Sequence, residues 1–274
     1  MKIGFIGLGN MATAIIGGLL REGTVLGVGN EAVTAADIIG SAKTEGTRRA
    51  QAERFAIAVT ADNREVAREA DVLVLAVKPQ FFPEVIEEIR DVVDDKLVIS
   101  IAAGLTLERI AELFERDVDA MRLIRCMPNT PALVNAGCTA VCLGPGITDA
   151  DQVTCVNLVT SFGRAVIIPE RLMDAASAVA GSSPAFVFMF IESLADGAVA
   201  AGMPRAQAYE FAAAAVAGSA QLVLETGRHP GDLKDMVCSP GGTTIQGVKA
   251  LEEGAFRASV MSAVDACVQK AKQL

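Results

Sequence analysis

The sequence predicts a doubly wound, mainly parallel α/β sheet followed by an all-helical domain. Three observations carry this reading. Short apolar runs alternate with amphipathic segments through the first half, a Gly-x-Gly-x-x-Ala loop separates the first run from the first helix, and no convincing strand follows Pro169. The expected domains are 1–168 and 169–274.

Lys2 to Ile6, Ala36 to Ile39, Ile57 to Val59, Val72 to Val77, Leu97 to Ile101 and Met121 to Arg125 read as strands. Met11 to Arg21, Thr44 to Arg54, Phe82 to Val93 and Leu107 to Arg116 read as the helices between them. Strands separated by helices pair in parallel through right-handed crossovers, with helices covering both faces. Thr139 to Leu143, a capped helix from Thr148 to Phe162, and Val166 to Ile168 complete the domain. Beyond it, Gly202-Met203-Pro204 and Gly227-Arg228-His229-Pro230 stop and restart helices. The first of these, Met173 to Ala201, is apolar almost all round and needs cover that a domain of this size does not supply. A partner subunit is the expected cover, which makes the chain a homodimer or a unit of a larger homo-oligomer.

Composition removes several kinds of chemistry. The 274 residues carry 24 Lys plus Arg against 33 Asp plus Glu, a net charge of −9, with 51% apolar and 21% charged residues. This is a globular composition, and its acidic balance disfavours nucleic acid and anionic membranes as partners. With His229 as the one histidine, no multi-His metal site can form, and no metal is expected. Six cysteines without a C-x-x-C pair read as small buried apolar residues in a reducing, cytoplasmic setting. Two uncharged stretches resemble export or membrane signals. Between Lys2 and Arg21, Gly4, Gly7, Gly9 and Asn10 fit a strand, turn and helix instead; Ala175 to Ile191 is short for a span and holds Gly181-Ser182-Ser183-Pro184.

The loop Gly7-Leu8-Gly9-Asn10-Met11-Ala12 stands where a dinucleotide fingerprint is expected, so the sheet reads as Rossmann-type. Gly7 allows the tight turn, Gly9 lets the backbone approach a pyrophosphate, and Ala12 permits close packing of helix on strand, while the helix start supplies amides. A mere tight turn fits the same glycines. After the second strand an Asp or Glu would hold a ribose 2′-hydroxyl, but Ile39-Gly40 leads into Ser41-Ala42-Lys43, and Asp37 falls too early. The loop therefore favours NADPH, with NADH as the weaker alternative. Ala76-Val77-Lys78-Pro79 and Ala102-Ala103-Gly104 also follow apolar strands at the sheet edge that binds ligands.

In the helical half, Cys238-Ser239-Pro240-Gly241-Gly242-Thr243-Thr244 is polar amid apolar surroundings. Free amides at a helix start with three hydroxyls make a carboxylate pocket, and an ordinary helix cap fits the same residues. Here the sequence resembles the pyrroline-5-carboxylate reductase family. Ser239 to Thr244, continuing through Ala250-Leu251-Glu252 to Gly254-Ala255-Phe256-Arg257, is similar to its signature; so are Phe5 to Ala12, Ala76 to Pro79, Arg125 to Pro131 and Gly181 to Ala185.

The resemblance implies an NADPH-dependent oxidoreductase that transfers hydride to the C=N bond of 1-pyrroline-5-carboxylate to give L-proline. It implies cofactor contacts at Leu8, Gly9, Asn10, Ser41, Asn63, Val77, Lys78 and Ala103; the loop reading adds Gly7, Met11, Lys43 and Ala76. The substrate carboxylate is expected on Ser239, Gly242, Thr243 and Thr244, with Thr244 as the catalytic residue, hydrogen-bonded to the ring nitrogen. Two features depart from the family: the stretch Val25 to Ala35 is long, and Met236 stands where a polar residue can occur. The rival readings are a β-hydroxyacid dehydrogenase, which needs a catalytic lysine for which Lys234 and Lys249 are candidates, and a non-catalytic NADP-binding sensor.

Overall fold

The computed structural model describes residues 1–21, 23–27 and 31–272. Its strands are β1 (Ile3–Ile6), β2 (Ile38–Ser41), β3 (Ala58–Thr60), β4 (Val72–Leu75), β5 (Leu97–Ser100), β6 (Leu123–Met127), β7 (Gly137–Leu143) and β8 (Gly163–Ile167). They form one sheet in the order β3-β2-β1-β4-β5-β6-β7-β8. The chain order reverses beside β1, which is where an open α/β sheet leaves a crevice at its carboxyl edge. Register sharpens this: Ile6 is level with Ser41 on one side and Leu75 on the other, so the loops leaving β1, β2 and β4 open side by side.

Helices α1 (Asn10–Leu19), α2 (Glu45–Phe55), α3 (Asn63–Glu69), α4 (Phe82–Ile89), α5 (Leu107–Leu113) and α6 (Asp149–Thr160) cover the two faces. Alternation along each central strand divides the core. Phe5, Val74 and Ile99 join Ile15, Ile16, Leu158 and Phe162 on one face; Ile6, Leu73 and Leu75 join Phe82, Ile86, Ile110 and Phe114 on the other. The uncharged stretch after Lys2 is accounted for by buried β1 and α1. Within the long stretch Val25 to Ala35, Val33 donates its amide to the Thr24 carbonyl at 2.8 Å, while residues 28–30 lie outside the described residues.

Two features differ from the sequence reading. β7 pairs antiparallel with β6, because residues 128–136 connect them through a 3-10 turn, Thr130–Val134, and hold no crossover helix. β7 and β8, joined through α6, are parallel again. The second is α3, which buries only Val66 and Ala67 and so lacks a legible apolar stripe, although Asp62 caps its first turn by accepting from the Arg64 amide.

The chain divides into two compact units, one of residues 1–181 with the C-terminal segment from Val268, the other Ser182–Cys267. The first extends beyond Pro169 because the segment after it packs on the sheet domain. Met173 is buried with Leu107, Ile110 and Leu123, and Glu170 accepts hydrogen bonds from the Leu107 amide and from Arg125. Glu170–Ala200 forms a continuous helical run, long and apolar enough by length and composition to cross a membrane. It comprises a 3-10 turn Glu170–Leu172, α7 (Met173–Ala176), a π-helical segment Ser177–Ser182, and α8 (Ser183–Ala200). In the second unit α8 is followed by α9 (Arg205–Thr226), α10 (Pro230–Val237), α11 (Thr243–Glu253) and the part of α12 (Phe256–Ala271) up to Cys267. The buried cluster of this unit, among the described residues, is Ala195, Ala208 and Ala212, while Phe188, Met189, Phe211 and Met261 are each more than 60% exposed. A unit with so small a core leaves its large apolar groups outside, as an unpaired oligomerisation surface does.

Candidate active site

At the switch point lies a cleft of about 780 Å³ lined by Gly7, Leu8, Gly9, Asn10, Ser41, Lys43, Asn63, Ala76, Val77 and Lys78 among others. Met11 and Ala103, expected with them, are not part of its wall; Met11 is half-buried on α1, and Ala103 lies half-buried in the turn after β5.

The glycines behave as the fingerprint requires. Gly7 has φ +96°, and a Cβ there would press on the Ala76 backbone at 2.9 Å. Gly9 caps α1 in extended conformation, and a Cβ placed on it would meet nothing within 4 Å, so it would fill the space before the helix amides rather than strike protein. No acidic residue occupies the first turn of α1, leaving its positive end available to an anion. These features fit a dinucleotide pyrophosphate.

Ser41 closes β2, is 1% exposed, and donates its hydroxyl to Asn63 Oδ1 at 2.7 Å. Asn63 in turn donates Nδ2 to Glu88 Oε2 at 2.6 Å. Asp37 lies outside the cleft, in a 3-10 turn ahead of β2, with its carboxyl held below the usual range by hydrogen bonds from Thr34. Arg48 does not face the cleft as a free cation, since it donates to the carbonyls of Ala42 and Lys43 and so shapes the loop that carries Lys43. The sequence reading missed Thr13, Gln51, Phe81, Glu84, Val85 and Glu88 as wall residues. Glu84 and Glu88 stand one helical turn apart on α4, a spacing that in sequence is indistinguishable from a solvated face.

The second candidate segment belongs to the helical unit. Gly241 adopts φ +70°, and Gly242, the N-cap of α11, is held by its amide donating to the Ser239 carbonyl at 3.0 Å. A Cβ on Gly242 would strike the Ser239 hydroxyl, so any larger residue there must displace the Ser239 side chain. No side chain caps α11, and its first turn holds no acid. The amides of Thr243, Thr244 and Ile245 are therefore open donors, with exposed Ser239, Thr243 and Thr244 beside them. The N-cap position of this segment is Gly242, so Thr244 stands inside the first turn and does not cap the helix.

Other candidates are placed elsewhere. Lys234 pairs with Asp235, and Lys249 with Glu253 at 3.7 Å. Met236 is exposed, with Arg228 near its sulfur at 3.7 Å. His229 caps α10 by accepting from the Gly231 amide at 3.0 Å. Of the six cysteines only Cys126, Cys142 and Cys155 are buried, which corrects the expectation that all are core residues; Cys138, Cys238 and Cys267 are half-buried.

A doubly wound sheet with a glycine cradle at its switch point, a hydroxyl in place of the ribose-binding acid, and a helical segment carrying an anion-ready loop defines an NADP-linked oxidoreductase. The comparisons agree. A family model described as pyrroline-5-carboxylate reductase dimerisation matches residues 170–274, and one described as NADP oxidoreductase, coenzyme F420-dependent, matches residues 2–104. The pyrroline-5-carboxylate reductase of Escherichia coli K12 is 48% identical over 274 residues, covering 100% of this chain and 98% of that protein. The solved pyrroline-5-carboxylate reductase of Coxiella burnetii superposes with TM-score 0.89 at 33% identity, covering 99% of this chain and 97% of that one. The pyrroline carboxylate reductase of Plasmodium falciparum, solved with NADP bound, gives TM-score 0.83 at 30% identity over 100% and 97%. The chain belongs to the pyrroline-5-carboxylate reductase family.

Proposed function

We infer that this chain reduces the C=N bond of 1-pyrroline-5-carboxylate with NADPH to give L-proline, the last step of proline biosynthesis, as a cytoplasmic homodimer. The observation that carries the reading is the presence in one chain of both parts the reaction needs: the glycine cradle with Ser41 in the cleft, and the open amides of α11 beside Ser239, Thr243 and Thr244. When bound, the nicotinamide supplies a hydride to the imine carbon.

This chain's residues supply position and a proton environment. Gly7, Leu8, Gly9, Asn10, Ala76, Val77 and Lys78 hold the dinucleotide, and Ser41, Lys43 and Asn63 take its 2′-phosphate end; Met11 and Ala103 are assigned to supporting the two loops. Ser239 and the open amides of Thr243 and Thr244 anchor the substrate carboxylate, which fixes the ring for attack; Gly242, whose own amide is spent on the Ser239 carbonyl, shapes the loop that presents them. The Thr244 hydroxyl bonds the ring nitrogen, orienting it and stabilising the amine as it forms. A protonated imine is already electrophilic, so neither a metal nor a strong catalytic acid is required. Functionally we divide the chain at 168/169, with cofactor residues before and substrate and dimer residues after. The long helix from Glu170 to Ala200 is read as a dimerisation helix, whose Glu192 and Asp196 suit it poorly to lipid. Larger homo-oligomers remain compatible with the exposed apolar groups of the helical unit.

The test is NADPH consumption with pyrroline-5-carboxylate beside 3-hydroxyisobutyrate with NAD. Turnover of the imine alone supports the reading; turnover of the hydroxyacid alone assigns the β-hydroxyacid dehydrogenase reaction, and nucleotide binding without turnover the sensor.

A further inference from the structure

We propose that Glu88 acts through Asn63 to set the hydrogen-bonding state of Ser41, and thereby limits the preference for a 2′-phosphorylated nucleotide over its 2′-hydroxyl counterpart. The proposal rests on the assignment of this cleft to NADPH. Its basis is a chain of two hydrogen bonds, from Ser41 Oγ to Asn63 Oδ1 at 2.7 Å and from Asn63 Nδ2 to Glu88 Oε2 at 2.6 Å, with all three residues in the cleft wall.

The polarity of the chain follows from its last member. An ionised carboxylate only accepts, so Asn63 must present its NH₂ to Glu88 and hence its carbonyl oxygen to Ser41. Ser41 has one proton, and Asn63 Oδ1 takes it. What remains on the Ser41 oxygen is acceptor capacity, which matches a ribose 2′-hydroxyl and mismatches a phosphate dianion. A 2′-phosphate can be met in two ways. If Ser41 turns its proton to the phosphate, Asn63 Oδ1 loses its donor; if the amide turns over to present NH₂, its oxygen comes against the Glu88 carboxylate. Either way one hydrogen bond is forfeited.

Glu88 is held in place for this role. Arg64, the residue after Asn63 on α3, donates Nη1 to the Glu88 carbonyl at 2.6 Å and forms a two-point pair with Asp91 at 2.6 and 2.7 Å. The start of α3 is thereby pinned to the end of α4, which keeps Asn63 opposite Glu88. Arg64 is a positioning residue, and the Glu88 side chain is the element that reads through the amide.

The test uses the full chain and two small probes, 2′,5′-ADP and 5′-ADP, whose dissociation constants are measured by calorimetry in wild type, Glu88→Gln, Asn63→Ala and the double variant. In Glu88→Gln the uncharged amide can donate to Asn63, so Asn63 turns over and Ser41 is freed to donate. The ratio of affinities, 2′,5′-ADP over 5′-ADP, is expected to rise at least fivefold, and NADPH over NADH kcat/KM to follow. In the Asn63→Ala background Glu88→Gln is expected to change the ratio less than twofold. An unchanged or lower ratio in Glu88→Gln overturns the proposal. An equal rise with and without Asn63 assigns the effect to bare charge and overturns the relay. Failure of 2′,5′-ADP to bind wild type overturns both this proposal and the NADPH assignment, whereas failure of 5′-ADP alone shows a preference that Glu88 does not limit and overturns only the proposal. Failure to reduce the imine, with the expected ratios intact, overturns only the proposed reaction and leaves the relay standing.

Discussion

Asn129 donates its side-chain amide to the carbonyl of Ala180 at 2.9 Å, the carbonyl that stands four residues before Pro184. A proline has no N–H to return to that position, and Pro184 lies just beyond the π-helical segment Ser177–Ser182. Asn129 replaces the missing donor. Its Oδ1 accepts from the Cys138 amide at 2.8 Å, so one buried side chain ties the β6–β7 connection to the long helix. Replacing Asn129 by Ala leaves both backbone groups without that partner and is expected to cost about 2 kcal/mol. Urea denaturation at fixed protomer concentration measures this; an unchanged midpoint would mean that water replaces the amide at no cost.

Thr244→Val keeps the shape of the side chain and removes its hydroxyl. Because Gly242 is the N-cap of α11, the thermal midpoint should hardly move, while kcat/KM falls at least tenfold, about 1.4 kcal/mol. Wild-type turnover in this variant would remove Thr244 from the chemistry.

Ser41→Glu puts a carboxylate where the 2′-phosphate is expected, so kcat/KM with NADPH should fall more than tenfold and the NADPH-over-NADH preference should narrow or reverse. The midpoint must be recorded beside the kinetics, since Ser41 is buried. An undiminished preference in a folded variant would place the 2′-phosphate elsewhere.

Acid sensitivity has an assignable source in the pair Arg122–Asp151. Burial pushes the Asp151 carboxyl up, but hydrogen bonds from Arg122 and Thr148 outweigh it and hold the group below its ordinary value of 3.8. A depressed folded-state value means that the stabilisation is fully present above the unfolded value, about pH 4, and is lost as pH falls through the folded one. Asp151→Asn should lower the urea midpoint at pH 7 and flatten its decline below pH 4. Parallel wild-type and variant curves across that range would rule out this pair as a source of acid lability.

The helical unit should hold the dimer together through its exposed apolar groups. Light scattering at assay concentration should give at least twice the protomer mass, and Phe188→Asp combined with Phe211→Asp should shift it toward monomer with loss of activity. A monodisperse, active wild-type monomer would contradict this.

The sequence by itself determined the alternation of strands and helices, the glycine cradle, the hydroxyl at Ser41 and the polar loop at Ser239 to Thr244, because each depends on local backbone demands written in neighbouring residues. Glycine at positive φ, a capped helix start and period-two burial all act within a few residues. Tertiary structure alone decided what distant segments do to one another. The reversed direction of β7 came from the length of a connection, and α3 from packing by only Val66 and Ala67. The attachment of Glu170 and Met173 to the sheet unit, the filling of the Ala180 carbonyl by Asn129, and the placing of Glu88 against Asn63 each join groups far apart in the chain. No periodicity or spacing encodes such meetings, since the donor and the acceptor are selected by the fold that brings them within about 3 Å.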